Sequence, residues 1–170
     1  SFNPLHAGHL KLARAAAGHL GREVGFELTL DNAEKAGISL DEAKRRAVAF
    51  GGVAPLWLTR APLFAQKAAL FPHGAFVVGA DTAARLVQPR FYGDDPQRMD
   101  EAFEAVRRAD CRFLVAGRLV DGNFLTLEEL DIPAAHRCLF EGFSEETFRV
   151  DLSSTEIRQG KASGRSRPDA

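Results

Sequence analysis

The stretch Ser1-Phe-Asn-Pro-Leu-His-Ala-Gly-His-Leu-Lys-Leu-Ala13 opens the chain and decides how the rest of the sequence is interpreted. Pro4 fixes its own backbone and biases Asn3 away from the helical region, so residues 1–5 are predicted to form a loop. Apolar residues then recur at helical spacing, namely Leu10, Ala13, Ala16, Ala17 and Leu20. His6 and His9, which are three residues apart, are therefore predicted to share one face at the start of a helix.

The start of this helix has the properties of a phosphate site. Gly8 lies between the two histidines and lets a ligand approach the backbone. Unpaired backbone N–H groups and the positive end of the helix dipole favour an anion at such a terminus. Two other interpretations stay open: the histidines can serve only as polar caps, or the pair can bind zinc. No third or fourth zinc ligand is placed by spacing.

A second stretch near the other end of the sequence, Ser153-Ser-Thr-Glu-Ile-Arg158, follows a predicted strand and opens a short helix. Ser153 and Glu156 fit a capping box, in which each side chain accepts from a backbone N–H at the helix start. Three hydroxyl groups and the forked guanidinium of Arg158 also suit a polyphosphate. The two motifs together favour phosphate binding over simple capping.

Hydrophobic periodicity predicts alternating helices and strands. The predicted helices span residues 7–19, 41–50, 63–71, 82–87 and 96–109, and the predicted strands span residues 24–30, 53–58, 74–78, 112–120, 124–127 and 138–143. This alternation predicts an α/β fold, a Rossmann-like doubly wound parallel sheet with helices on both faces. Ligands bind beyond the carboxyl ends of such strands, where we expect His6, Asp81 and Ser153.

The composition fits one globular domain of 170 residues, with 45% hydrophobic and 26% charged residues. A net charge of −1 gives no overall field to attract nucleic acid. The sequence contains neither an apolar run of membrane-span length nor a signal-peptide pattern, so we expect no membrane association. Cys111 and Cys138 lack metal-type spacing and are interpreted as packing residues. We expect a cytoplasmic protein.

At this point the motifs resemble those of a known family. Phe2-Asn-Pro-Leu-His-Ala-Gly-His9 resembles the GxFxPxHxGH form of the His-x-Gly-His nucleotidyltransferases, and residues 153–158 resemble their ISSTxIR motif, with Leu152 in place of the usual isoleucine. Val78-Gly-Ala-Asp81 resembles a third element, in which a strand ends at an aspartate beside the substrate. The resemblance covers nearly the whole chain and is nearest to the nicotinamide and nicotinate mononucleotide adenylyltransferases.

This resemblance implies that a phosphorylated acceptor attacks the α-phosphate of a nucleoside triphosphate, with ATP favoured, and that pyrophosphate leaves. It implies catalytic roles for His6, His9 and Arg158. It also implies a nucleotide-binding group made of Ser1, Phe2, Gly8, Asp81, Ser153, Ser154 and Thr155. Mg²⁺ would accompany the triphosphate, and no separate metal site in the protein is expected.

Several alternatives remain open. A cytidylyltransferase that uses CTP and a phosphorylated alcohol is the second candidate function, and a nucleotide-binding module without turnover is the third. Asp81 can be a helix N-cap instead of a substrate contact. Thr59 and Arg60 follow a predicted strand and lie either at the same cleft or in a surface loop. Trp57 is interpreted as a core residue, and a homo-oligomer is compatible with the sequence.

The domain expectation is a nucleotidyltransferase domain over residues 1–160, followed by a flexible tail over residues 161–170. In the resembled family the first motif directly follows the first strand of the sheet. We therefore expect natural chain before Ser1, supplying an apolar strand in the middle of the sheet.

Overall fold

The structure, a computed structural model, describes residues 2–31, 37–120 and 123–143. Its helices are α1 (Ala7–Leu20), α2 (Leu40–Val48), α3 (Phe64–Leu70), α4 (Ala80–Leu86) and α5 (Pro96–Arg108). Its strands are β1 (Phe26–Thr29), β2 (Leu56–Thr59), β3 (Ala75–Gly79), β4 (Arg112–Ala116), β5 (Arg118–Val120), β6 (Asn123–Leu125) and β7 (Phe140–Gly142). Short 3-10 turns span Pro89–Tyr92 and Arg137–Leu139.

The strands form two parallel sheets and one hairpin. Strands β1 and β2 pair in parallel, and a second sheet has the parallel order β3-β4-β7. Strands β5 and β6 form an antiparallel hairpin. Parallel strands need crossover connections: α2 separates β1 from β2, α4 and α5 separate β3 from β4, and the hairpin with the second 3-10 turn separates β4 from β7. The predicted α/β class, with Rossmann-like parallel strands flanked by helices, is confirmed.

Strand β4 shows why helices cover both faces of its sheet. Phe113 and Val115 are buried on one face, in the same apolar cluster as Phe103 of α5. Leu114 is buried in a second cluster with Ala16 of α1. Successive side chains of a strand point to opposite faces, so this five-residue strand needs an apolar cover on each side.

The predicted strand over residues 112–120 is wrong in its continuity, because the chain leaves the parallel sheet at Gly117. A Cβ atom at this position would lie only 2.7 Å from the ring of Phe124. The close approach of the two hairpin arms therefore requires glycine there. The predicted strand over residues 138–143 is shorter in the structure, because a 3-10 turn occupies its first residues and β7 begins at Phe140.

Two side chains correct the core prediction. Trp57 is 56% exposed, because it lies on the short two-stranded sheet, where it makes an edge contact with Phe71. Cys138 is exposed, whereas Cys111 is buried as predicted. His136, for which the sequence predicts no functional role, is buried and stacks on Phe103.

Among the described strands, β1 and β3 each have one edge that pairs with no other strand. Residues 22–30 and residues 74–79 both line one cleft of about 1710 Å³. Much of the cleft wall therefore consists of two strands with unpaired backbone edges. The expected strand upstream of Ser1 is not tested by the described residues and stays a prediction.

Several expectations fall on residues that the structure does not describe. These are the roles of Ser1, Ser153, Ser154, Thr155 and Arg158, and the flexible tail over residues 161–170. Within the described ranges, no helix is both long enough and apolar enough to cross a membrane.

Candidate active site

The first motif lies at the start of α1, and its place relative to the parallel strands follows from the direction of that helix. Residues 21–25 connect the end of α1 to the amino end of β1, so the helix runs antiparallel to that strand. This direction points the amino end of α1 towards the carboxyl ends of the strands, and the Phe2 ring before the helix contacts Phe26, the first residue of β1. Ligands of open α/β sheets bind at this edge. The start predicted for this helix is confirmed, since α1 begins at Ala7, directly after His6.

The two histidines build a reciprocal cap at the start of α1. His6 is the N-cap residue, and its Nδ1 accepts a hydrogen bond from the backbone N–H of Gly8 at 3.1 Å. His9 reaches back, and its Nδ1 accepts from the backbone N–H of His6 at 3.3 Å. This is a capping box made with imidazoles in place of the usual serine and glutamate. Capping is thus part of the role of both side chains.

This cap fixes which ring nitrogens can donate. A ring nitrogen that accepts a hydrogen bond carries no proton, so a neutral imidazole with an accepting Nδ1 has its proton on Nε2. Both His6 and His9 therefore present Nε2 as the donor atom. The predicted approach of a phosphate to the Gly8 backbone stays a prediction, and in this structure the Gly8 N–H is used by His6.

Burial is the main reason that His9 stays neutral. Its ring centroid lies 3.7 Å from that of His6 and 4.9 Å from that of Phe2. Burial, followed by repulsion from His6, lowers the pKa of His9 from 6.5 to about 4. At neutral pH His9 is therefore an uncharged N–H donor that does not need to lose a proton in order to act.

Asp81 lies on the same cleft as the histidines, as the sequence predicted. The interpretation of Asp81 as an N-cap is wrong, since Gly79 is the N-cap of α4 and Asp81 is in the first turn. A Cβ atom on Gly79 would lie 2.7 Å from Oδ1 of Asp81, so the glycine leaves room for the carboxylate above the strand end. Arg85, one turn further along, is 3.7 Å from the other carboxylate oxygen.

The remaining wall of the cleft carries cations and one half-buried phenol. Arg46, Arg85 and Arg90 line it, as does Tyr92. Burial raises the pKa of Tyr92 to about 12, and its hydroxyl donates to the carbonyl of Leu86 at 2.9 Å. Arginine side chains on the wall suit an anionic ligand, because their planar donors match phosphate oxygens.

A polar cluster in the wall of the cleft, formed around the pair of Lys67 and Glu27, has no counterpart in the sequence predictions. Lys67 of α3 is 7% exposed, and its Nζ lies 2.7 Å from Oε1 of Glu27 on β1. Thr59, at the end of β2, donates its hydroxyl proton to the same carboxylate. The sequence signals were the acidic residue within an apolar strand and the lysine on the inner face of an amphipathic helix.

The structure also shows where Thr59 and Arg60 lie, which the sequence left open. Thr59 is buried, and Arg60 is exposed and pairs with Asp31 at 3.2 Å. Neither residue lines the cleft described above. Lys67 and Glu27 do line it, and they link α3 to β1 in its wall.

The parallel strands, their covering helices and the helix start at their carboxyl edge define an α/β protein of the Rossmann-like class. A more specific assignment comes from the family comparison, in which the family described as Cytidylyltransferase-like matches residues 1–160. The chain therefore belongs to the cytidylyltransferase-like family, within the nucleotidyltransferase superfamily. Searches among curated proteins and among solved structures found no match.

Proposed function

We propose that this protein transfers a nucleoside monophosphate from ATP to a small phosphorylated acceptor such as nicotinamide or nicotinate mononucleotide. Membership of the cytidylyltransferase-like family supports nucleotidyl transfer in general. The observation that carries the proposal is the histidine cap, which turns His6 and His9 into Nε2 donors at the start of α1. The sequence resemblance of residues 2–9, 78–81 and 153–158 favours the adenylyltransferases within the family.

The proposed reaction forms one bond and breaks one bond at the α-phosphorus. A phosphate oxygen of the acceptor attacks, the bond from the α-phosphorus to the bridging oxygen breaks, and pyrophosphate leaves with that oxygen. No proton has to be removed from an ionised phosphate. Positioning and stabilisation of the developing charge can therefore supply most of the catalysis.

In this proposal His6 and His9 donate from Nε2 to phosphate oxygens on which charge increases during attack. A neutral donor fits His9, whose pKa of about 4 keeps the ring uncharged at neutral pH. Donors held in place before the reaction cost no reorganisation when the charge develops. Ser153, Ser154, Thr155 and Arg158 are proposed to hold the β- and γ-phosphates, together with Ser1, Phe2 and Gly8 near the α-phosphate.

Mg²⁺ is proposed to enter with the triphosphate. In the described part of the chain no three His, Cys, Asp or Glu side chains are grouped so that they could hold a metal ion. A Mg²⁺ ion that arrives with the triphosphate would keep phosphate oxygens and waters as its main ligands. Asp81 supplies a carboxylate on the cleft wall that can face either the cation or the acceptor.

A second candidate function is cytidylyl transfer from CTP to a phosphorylated alcohol, which the name of the matched family favours. Pyrophosphate release should be measured with ATP, CTP, GTP and UTP against a panel of phosphorylated acceptors. We expect ATP to be at least about tenfold better than CTP in kcat/KM, a difference of about 1.4 kcal/mol. A CTP preference would move the assignment to cytidylyl transfer, and no release with any pair would support a binding module.

The same assay tests the histidines. His9→Ala should lower kcat by about 10²–10³, the usual cost of losing one donor to a developing charge. His19→Ala is the matched control, because His19 lies in the last turn of α1 and pairs with Glu141 at 2.6 Å. The control should keep kcat within about twofold. A kcat of His9→Ala within about threefold of the wild type would exclude a catalytic role.

The capping box adds a structural cost to this substitution. His9 accepts from the His6 N–H and contacts Phe2, so His9→Ala should also lower the free energy of unfolding by about 1 kcal/mol. Thermal unfolding must be followed alongside the kinetics. A large loss of kcat together with complete unfolding would indicate that the side chain is structural.

A further inference from the structure

Phe2 belongs to a cluster of three phenylalanine rings that reaches the candidate catalytic residues. Its ring centroid is 5.2 Å from that of Phe26 and 5.5 Å from that of Phe50, and these two are 5.1 Å apart. Phe26 and Phe50 are both buried, one on β1 and the other just after α2. Phe2 therefore packs against residues from two separate segments of the chain.

The fourth ring in this arrangement is the imidazole of His9. The Phe2 ring meets it at 4.9 Å with an interplanar angle of 76°, an edge-to-face contact. The His6 ring lies 3.7 Å from the same imidazole. His9 therefore packs against both the Phe2 ring and the His6 ring, and its Nδ1 is held by the backbone N–H of His6. These contacts restrict the direction in which Nε2 can point.

The backbone of Phe2 is in a strained conformation. Its φ angle is +54°, in the left-handed region that a bulky side chain rarely adopts. Such a conformation is unfavourable and persists only where the surroundings hold it. Backbone strain of this kind concentrates where a side chain has to be placed for function.

We propose that Phe2 is a positioning residue, whose ring fixes the orientation of the His9 imidazole and shields it from water. The proposal rests on the proposed function for its effect on turnover, but not for the contact itself. Phe2 has no polar side-chain atom, so its ring acts on the phosphate only through His9. The predicted contact of the Phe2 region with the nucleotide can still be made by its backbone.

The ionisation of His9 agrees with this role. Burial is the first cause of its lowered pKa, and the repulsion that His6 exerts when it is protonated is the second. Glu27 of β1, Arg46 of α2 and Asp81 of α4 share the cleft with these histidines. Removing the Phe2 ring should admit water to His9 and leave those charges in place, so its pKa should rise towards the ordinary value of 6.5.

The experiment compares Phe2→Leu with Phe50→Leu in the intact protein. Phe50→Leu is the matched control, because Phe50 packs on Phe2 and Phe26 of the same cluster. The ring protons of His9 should be followed by NMR from about pH 3 to 8, a range that brackets both pKa values. We expect the pKa of His9 to rise above about 5 in Phe2→Leu and to stay near 4 in Phe50→Leu.

The kinetic readout is separate. Phe2→Leu should lower kcat about ten- to a hundredfold with KM changed less than about threefold, because a misplacement of about 1 Å can cost a hundredfold. Phe2→Tyr, which keeps the ring, should retain both the pKa and kcat. An unchanged His9 pKa in folded Phe2→Leu would overturn the inference.

The inference can still be tested if Phe2→Leu does not fold or if the wild type shows no turnover. If Phe2→Leu does not fold, the wild type provides the test. The inference requires a nuclear Overhauser contact between the ring protons of Phe2 and His9. The absence of that contact would overturn the inference. Should the wild type release no pyrophosphate with any triphosphate, the proposed function fails, while the titration still tests the positioning of His9.

Discussion

The two parallel sheets differ in how completely they are covered. In the sheet of β3, β4 and β7, every β4 side chain from Phe113 to Ala116 is buried. In the sheet of β1 and β2, Trp57 and Leu58 are 56% and 43% exposed. The first sheet has helices on both faces, whereas the second leaves apolar side chains in contact with solvent.

The polar groups show the opposite distribution, since they lie mainly on the sheet that is less completely covered. Glu27 and its partner Thr59 lie on the two-stranded sheet, and Lys67 reaches Glu27 from α3. The histidine motif also contacts this sheet, through Phe2 and Phe26. The three-stranded sheet supplies mainly apolar packing, and Asp81 directly follows its edge strand β3. The comparison suggests that one sheet carries most of the stability and that the other carries more of the candidate site.

The largest expected effect tests the stability half of this comparison. Phe113 is 0% exposed in the middle of the three-stranded sheet, so Phe113→Ala should lower the free energy of unfolding by about 3–5 kcal/mol. Trp57→Ala on the exposed sheet should cost less than about 1 kcal/mol, although it removes a larger side chain. Urea unfolding of both variants measures the difference. Equal losses would show that the two sheets contribute alike.

The second prediction concerns the unpaired edges of β1 and β3, which line the same cleft. We expect natural chain before Ser1 to pair with both edges and join the two sheets into one. In the extended protein the amides on these edges should exchange with solvent on the order of a hundredfold more slowly than in residues 1–170 alone. Hydrogen exchange by NMR compares the two chains. Amides of β4, which is paired on both sides, are the internal control.

An unchanged exchange rate at β1 and β3 in the extended chain would contradict this prediction. The two sheets would then be separate in the natural protein, and the cleft between them would be available to ligand along its whole length.

Hydrophobic periodicity predicted most helices and strands, because the buried residues recur with the period of the helix or strand that contains them. The amphipathic α5, with Met99, Phe103 and Val106 buried, was predicted to within one residue of its observed end. The break at Gly117 was missed because a close approach between hairpin arms depends on tertiary contacts. Trp57 was assigned to the core because its residue type indicates burial but does not show how many strands its sheet contains.

The sequence predicted the positions of several candidate site residues but not the contacts between their side chains. The motif gave the positions of His6 and His9 at the helix start, and the strand pattern brought Asp81 to the same cleft. The reciprocal imidazole cap was not predictable, because it depends on which way each ring turns. The pairing of Lys67 with Glu27 joins residues 40 positions apart in sequence on different elements, and no local pattern specifies it.

The third prediction breaks this pair. Glu27→Gln keeps an acceptor for Thr59 but leaves the buried ammonium of Lys67 without its carboxylate at 2.7 Å. Removing one partner of a buried polar pair costs about 1–3 kcal/mol in the free energy of unfolding. The double variant Glu27→Leu/Lys67→Met removes both charges and should recover most of that loss. A double variant as unstable as Glu27→Gln would show that packing, and not the uncompensated charge, causes the loss.

The smallest predicted effect is a dependence of stability on pH through His9. Its pKa is about 4 in the folded protein and about 6.5 when unfolded, so the unfolded chain binds more protons between these values. Stability should therefore be unaffected by His9 above about pH 6.5, fall as the pH drops towards 4, and change no further below that. Because the ring is only partly buried, we expect a loss of about 1–2 kcal/mol.

The variant His9→Gln isolates this contribution, because glutamine does not titrate while the carboxylates that titrate in the same range are unchanged. The free energy of unfolding should be measured by urea at pH 7 and pH 4.5 for both proteins. The wild type should lose about 1 kcal/mol more than His9→Gln between the two pH values. An equal loss would mean that His9 titrates with an ordinary pKa and is open to water. His9 would then be as accessible to water as an exposed surface histidine such as His73.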